Sequence, residues 1–167
     1  MASGNKVDET PFLERRKARA SDAVFIYPWF SSHLDAVMWA GPKVADPLTV
    51  EWLAAEFKSD VHWVWVDDDD TPQAMFKLID KGKGRAHLTR FVIAPAMRGR
   101  GLASGMMQEI ADEAYETGAD HLTLNVYHSN AHARRIYDRL GFQVVEENDP
   151  TGDPGGPSTH MRLDLEE

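Results

Sequence analysis

The 167-residue chain, 43% hydrophobic and 27% charged, is long enough for one domain with a substantial core. It has no cysteine, which excludes disulfides, thiolate metal sites and a cysteine nucleophile. Its formal charge of −9, from 18 basic and 27 acidic residues, disfavours nucleic acid as the main partner, although local groups still bind an anionic small ligand.

Residues 1–11 read as a loose terminus, and residues 12–167 as a single domain. The stretch MASGNKVDET lacks the apolar run of a signal peptide, and no run of ~18 apolar residues occurs, so a cytoplasmic protein with no membrane partner is expected. Residues 12–20 give a first strand. Ser21 and Asp22 are candidate N-caps for a helical stretch that Pro28 and Pro42 divide into two short pieces around Trp29 and Trp39. Thr49 caps a helix over 49–58. VHWVWV (61–66), QAMFKLID (73–80) and AHLTRFVIA (86–94), separated by Asp67–Pro72 and KGKGR, predict a three-strand antiparallel meander. Beyond Pro95 the period changes. Leu102, Met106, Met107, Ile110, Ala111 and Ala114 recur at helical spacing, and Gly118 stops the helix. A strand (121–127), a helix (130–140, Asn130 near its cap, Gly141 closing it), a strand (142–147), a Gly/Pro-rich loop (NDPTGDPGGPS) and a strand (159–165) complete the chain. An edge strand near the C-terminus would let two copies pair, so a homodimer is one expectation.

The segment RGRGLASG (98–105) puts three glycines within eight residues between a strand and a helix. The first turn of a helix has unpaired backbone N–H groups and partial positive charge, and glycine lets a phosphate approach the backbone closely. Three loops meet that description. A nucleotide-triphosphate loop needs a Gly-Lys-Ser/Thr ending, which is absent. A dinucleotide fingerprint starting at Gly99 finds Ser104 in place of its third glycine and follows a meander rather than a parallel opening unit. An acyl-coenzyme A loop, R/Q-x-x-G-x-G/A, fits Arg98, Gly101 and Ala103. A glycine-rich turn that merely opens a buried helix is the structural alternative.

The sequence resembles the GNAT superfamily of N-acetyltransferases over residues 86–147. IAPAMRGRGLASGMM is similar to that family's loop and following helix. NAHARRIYDRLGF is similar to its second signature, through Asn130, Ala133, Tyr137, Gly141 and Phe142. The resemblance implies an α+β fold with a mixed, mostly antiparallel sheet of six to seven strands flanked by helices, its two central strands splayed. It implies acetyl-CoA as co-substrate and direct transfer to a primary amine on a small molecule or peptide. An acyl-CoA-binding sensor of the same fold, without turnover, is the alternative.

By the same resemblance, the pantetheine arm pairs with Phe91, Val92 and Ile93 as an added strand would. The pyrophosphate sits on the N–H groups of Arg98, Gly99, Arg100, Gly101, Leu102 and Ala103. Arg98 either adds charge or holds the loop, and Ser104 offers a further hydrogen bond. Tyr137 is placed as general acid for the departing sulfur, with a core aromatic as its structural alternative. Asn130 bonds the cofactor or caps its helix. Asn125 stands where some relatives carry a glutamate base, so His87 and His128 are the candidate bases. No metal is expected: seven histidines are scattered, and His128 and His132 straddle a helix start. The Trp cluster (29, 39, 52) reads as packing, with one of them lining the acceptor pocket as the alternative, and Asp67–Asp70 as a solvated turn rather than an amine trap.

Overall fold

The computed structural model describes residues 12–149 and 151–166; the expected loose terminus, residues 1–11, lies outside them. In chain order the elements are β1 (Glu14–Lys17), α1 (Ala23–Ile26), α2 (His33–Ala40), α3 (Val50–Glu56), β2 (His62–Val66), β3 (Pro72–Gly82), β4 (Arg85–Ile93), α4 (Leu102–Glu116), β5 (His121–Tyr127), α5 (Ala131–Leu140), β6 (Gln143–Asn148) and β7 (Ser158–Asp164). One seven-stranded sheet has the order β1-β2-β3-β4-β5-β7-β6. All neighbours are antiparallel except β4 and β5, which run parallel. The last strand slots between β5 and β6, so the open edge near the C-terminus belongs to β6.

Side chains alternate across the sheet, and both faces are covered. Trp65, Phe76, Leu88, Leu122 and Leu124 meet Met107 and Ile110 of α4 on one face. Val64, Val66 and Met75 meet Ile26, Leu53 and Phe57 on the other. Side-chain caps fix the helix starts, at Thr49 and Asn130 as the sequence predicts and at Ser32 as an addition. Ser32 accepts the Asp35 N–H at 3.1 Å, Thr49 the Trp52 N–H at 3.0 Å and Asn130 the Ala133 N–H at 3.3 Å. Asp22 is a correction. It is buried, its carboxylate takes two bonds from the Arg16 guanidinium at 2.8 and 2.9 Å, and it accepts the Arg19 N–H at 2.7 Å. It therefore ties β1 to the turn before α1 instead of capping toward solvent.

Two features of β4 position the site. Its pairing with β5 ends at Leu88 and Leu124, although both strands continue, so the strands part beyond that point. Just after the parting, Arg90 has φ 58°, and the register with β3 shifts between Met75/Val92 and Lys77/Thr89. This is a β-bulge. It swaps which residues face which layer: Ala86 and Leu88 face the α4 side before it, and Phe91 and Ile93 after it.

Candidate functional site

The bulge is pinned from the α2–α3 side. The Arg90 carbonyl accepts the Trp39 indole N–H at 2.8 Å. The Arg90 guanidinium pairs with Glu56 at 2.8 Å, donates to His62 Nε2 at 3.1 Å and lies over the rings of Trp39 and Trp52, 5.6 and 5.4 Å from their centroids. His62 is buried beside this cation and must accept from it, so it stays neutral; burial lowers its pKa to about 4. A strained backbone position is thus over-determined by its neighbours, as a residue held at positive φ requires.

Two clefts open where the strands part. The larger, about 710 Å³, runs from Trp29, Asp35 and Trp39 past Phe91, Val92 and Ile93 to the loop before α4, and along α5 to Arg139. The smaller, about 300 Å³, lies between α2, the outer halves of β4 and β5, and the β6–β7 loop. Met38, Trp39, Phe91, Asn130 and Tyr137 border both, so the clefts meet at these residues.

The loop has the form of an anion cradle. Gly99 and Gly101 have φ of 75° and 72°, a left-handed conformation that glycine adopts without penalty. A Cβ on either would meet no protein atom within 4 Å. Gly101 is the N-cap of the fifteen-residue α4, and no side chain caps that helix, so its first-turn N–H groups are left for a ligand. Gly99, Gly101, Leu102, Ala103 and Ser104 all line the larger cleft. Arg98 lines it too, but its Nε donates to the Ile93 carbonyl at 3.1 Å, which holds the loop against the end of β4. Arg100 is exposed and lies outside the cleft wall.

On α5, Asn130, Ala133 and Tyr137 share one stripe and border the cleft. Tyr137 packs at 5.6 Å from the Phe142 ring, and burial alone raises its phenol to about 12. The two histidines expected as bases are placed elsewhere. His87 sits opposite Thr123 in the parallel pair, bonded to its Oγ1 at 2.8 Å, and borders neither cleft. Burial also lowers its pKa to about 4, which makes it a weak proton acceptor. His128 pairs at 2.7 Å with Glu147 of β6 and likewise borders neither cleft. His132 turns into the larger cleft, away from that pair. Among the described residues, no three His, Asp or Glu side chains gather as a metal site would require.

Sequence reasoning missed several wall residues. Arg90 gives no periodic signal, and Tyr127 and Asp153 come together only through the β6–β7 loop; Trp39, read first as packing, is both core and cleft wall. A β-prone run interrupted by a charged residue between Thr89 and Phe91 was the available hint of the bulge.

Known proteins match this arrangement. The chain is 46% identical over 50 residues to streptothricin acetyltransferase of Streptomyces lavendulae, covering 30% of this chain and 26% of that one. It is 33% identical over 75 residues to spermine/spermidine N(1)-acetyltransferase of Bacillus subtilis, covering 44% and 49%. It therefore spans half or less of the length of these curated relatives. Spermidine N-acetyltransferase of Vibrio cholerae, solved in complex with CoA and spermine, superposes with a TM-score of 0.74 at 16% identity over 92% of this chain and 95% of that one, a likeness of fold. The profile of the acetyltransferase (GNAT) family matches residues 25–142, the span that carries the glycine loop, the parted strands and the Asn130–Tyr137 stripe, and the chain belongs to that family.

Proposed function

We propose that the protein transfers an acetyl group from acetyl-CoA directly to a primary amine. The observation that carries this reading is the junction itself: two clefts at the parted strands meet beside Tyr137, and only the larger has an uncapped helix start. A reaction between two bound molecules needs such a junction to bring them within attacking distance.

In this reading the diphosphate rests on the N–H groups of residues 99–104 at the head of α4. The pantetheine arm lies along the edge of Phe91–Ile93 that β5 does not pair, and Asn130 and Tyr137 close the opposite wall. Arg98 acts by holding the loop. The acceptor enters through the smaller cleft. Its neutral nitrogen attacks the thioester carbonyl, the C–N bond forms, the C–S bond breaks, and the sulfur leaves with the electron pair. The Tyr137 phenol gives that sulfur its proton and is reprotonated from solvent; the proton from nitrogen goes to water. A phenol near 12 is fully protonated at neutral pH, as an acid must be. Its transfer to a thiolate depends on the charge that builds on sulfur as the bond breaks. His87 and His128 take no part.

Thiol release from acetyl-CoA with a panel of primary amines tests the reading, with calorimetric titration of coenzyme A alongside. Release that requires an amine is the expected result. A folded protein with no affinity for coenzyme A would overturn it.

A further inference from the structure

The smaller cleft contains a clasp that the transfer step does not use. Tyr127 ends β5, and its ring lies against Gly155 of the β6–β7 loop so closely that a Cβ there would stand 2.5 Å from ring carbons. Its hydroxyl donates to the Asp153 carboxylate, at 2.9 and 3.1 Å from the two oxygens. The Gly155 N–H donates to the same carboxylate at 2.9 Å, and the His128 N–H holds the Pro157 carbonyl at 2.9 Å. The other side of the Tyr127 ring packs on the Ala36–Val37–Val44 cluster. The loop is thereby fastened across one end of the cleft. Desolvation and the Asp153 contact raise the Tyr127 pKa, so the phenol remains the donor.

Asp153 is the only carboxylate among the described residues that border this cleft. Arg90, the only cation among those same described residues, is engaged by Glu56, His62 and two indoles. A carboxylate offers about four lone-pair positions. One phenol proton and one backbone N–H leave it room for a ligand. Tyr127 stands three residues beyond Leu124, where the strands part, or about 10 Å at strand rise. A carboxylate favours the charged form of a bound amine, and an ammonium cannot attack a thioester. Asp153 therefore suits a cation that does not react, placed some way from the one that does.

We propose that Asp153, held by Tyr127 and Gly155, is a recognition site for a second ammonium on the acceptor, so that the preferred substrates are aliphatic diamines. This rests on the acetyl-transfer reading above. The test compares 1,4-diaminobutane and 1,5-diaminopentane with n-butylamine and n-pentylamine in wild type, Asp153→Asn, Tyr127→Phe and Gly155→Ala. In wild type, kcat/KM for the diamines should exceed that for the matched monoamines by at least tenfold. In Asp153→Asn the ratio should fall to within about twofold of one, with the loss in the diamine KM. Tyr127→Phe and Gly155→Ala, which loosen the clasp and keep the charge, should fall between. A wild-type ratio near one, or a ratio that survives in Asp153→Asn, would overturn the proposal. So would an equal loss of kcat for both amine classes, since that marks a proton acceptor. Calorimetry of the coenzyme A-loaded protein with 1,4-diaminobutane gives a readout independent of turnover. Diamine binding that Asp153→Asn abolishes, in a protein that acetylates no amine, would sink the transfer reading while keeping the site.

Discussion

The two clefts are built by different means. The larger is walled by the Trp29–Trp39 segment, the edge of β4 and one face of α5, and it alone offers a glycine turn with uncapped main-chain N–H groups at the head of α4. The smaller is made of side chains from four separate segments, brought together by a bulge and a clasped loop. In the proposed reaction, main-chain groups recognise what every transfer of this kind shares, the diphosphate and amides of the carrier. Side chains recognise what varies, the acceptor.

That contrast is sharpest at Tyr137, on the border of both clefts. Tyr137→Phe should lower kcat about 10²–10³-fold while the calorimetric affinity for coenzyme A changes less than threefold. An unchanged rate would return Tyr137 to the role of a core aromatic. On the main-chain side, Gly101→Val forces a β-branched residue into φ 72°, at a cost of about 1–3 kcal/mol. Coenzyme A affinity should fall about tenfold or more, and acceptor preference among saturated variants should be unaltered; a shift in amine preference would break the division between the clefts.

Acid should expose the side-chain scaffolding. His62 and His87 are held near pKa 4, against about 6.5 in an unfolded chain. Between those values the unfolded chain binds protons that the native state does not, so their contribution is complete above about pH 6.5 and is lost as pH falls toward 4. Tm should drop steadily between pH 6.5 and 4.5, and His62→Gln should flatten that drop. The smallest effect is expected for His128→Gln, whose exposed pair with Glu147 borders neither cleft. Its kcat/KM should stay within about twofold of wild type at pH 7 to 8, and a large loss would restore it as a base.

The same contrast explains what the sequence revealed. Helix starts at Thr49 and Asn130, the β2–β3–β4 meander and the α4 loop were legible because each depends on neighbours a few residues apart. Arg98 holding its loop was one of two readings, and Arg100 turning outward was not foreseen. The surroundings of the candidate bases His87 and His128 were not legible, because position along a strand does not tell which partner a ring finds: Thr123 and Glu147 are 36 and 19 residues away. Asp153 was invisible for the same reason. A Gly/Pro-rich loop tells where the chain turns, but the Tyr127 ring decides where it lands.

The extra residue at Arg90 also acts as a frame shift within a single strand. Upstream of it, odd and even positions of β4 have one meaning; downstream they exchange meanings, and the outer half turns Phe91 and Ile93 to the α4 layer while Val92 joins the opposite one. Removing one codon there would leave every amino acid of the outer half chemically intact and turn each of them to the wrong side.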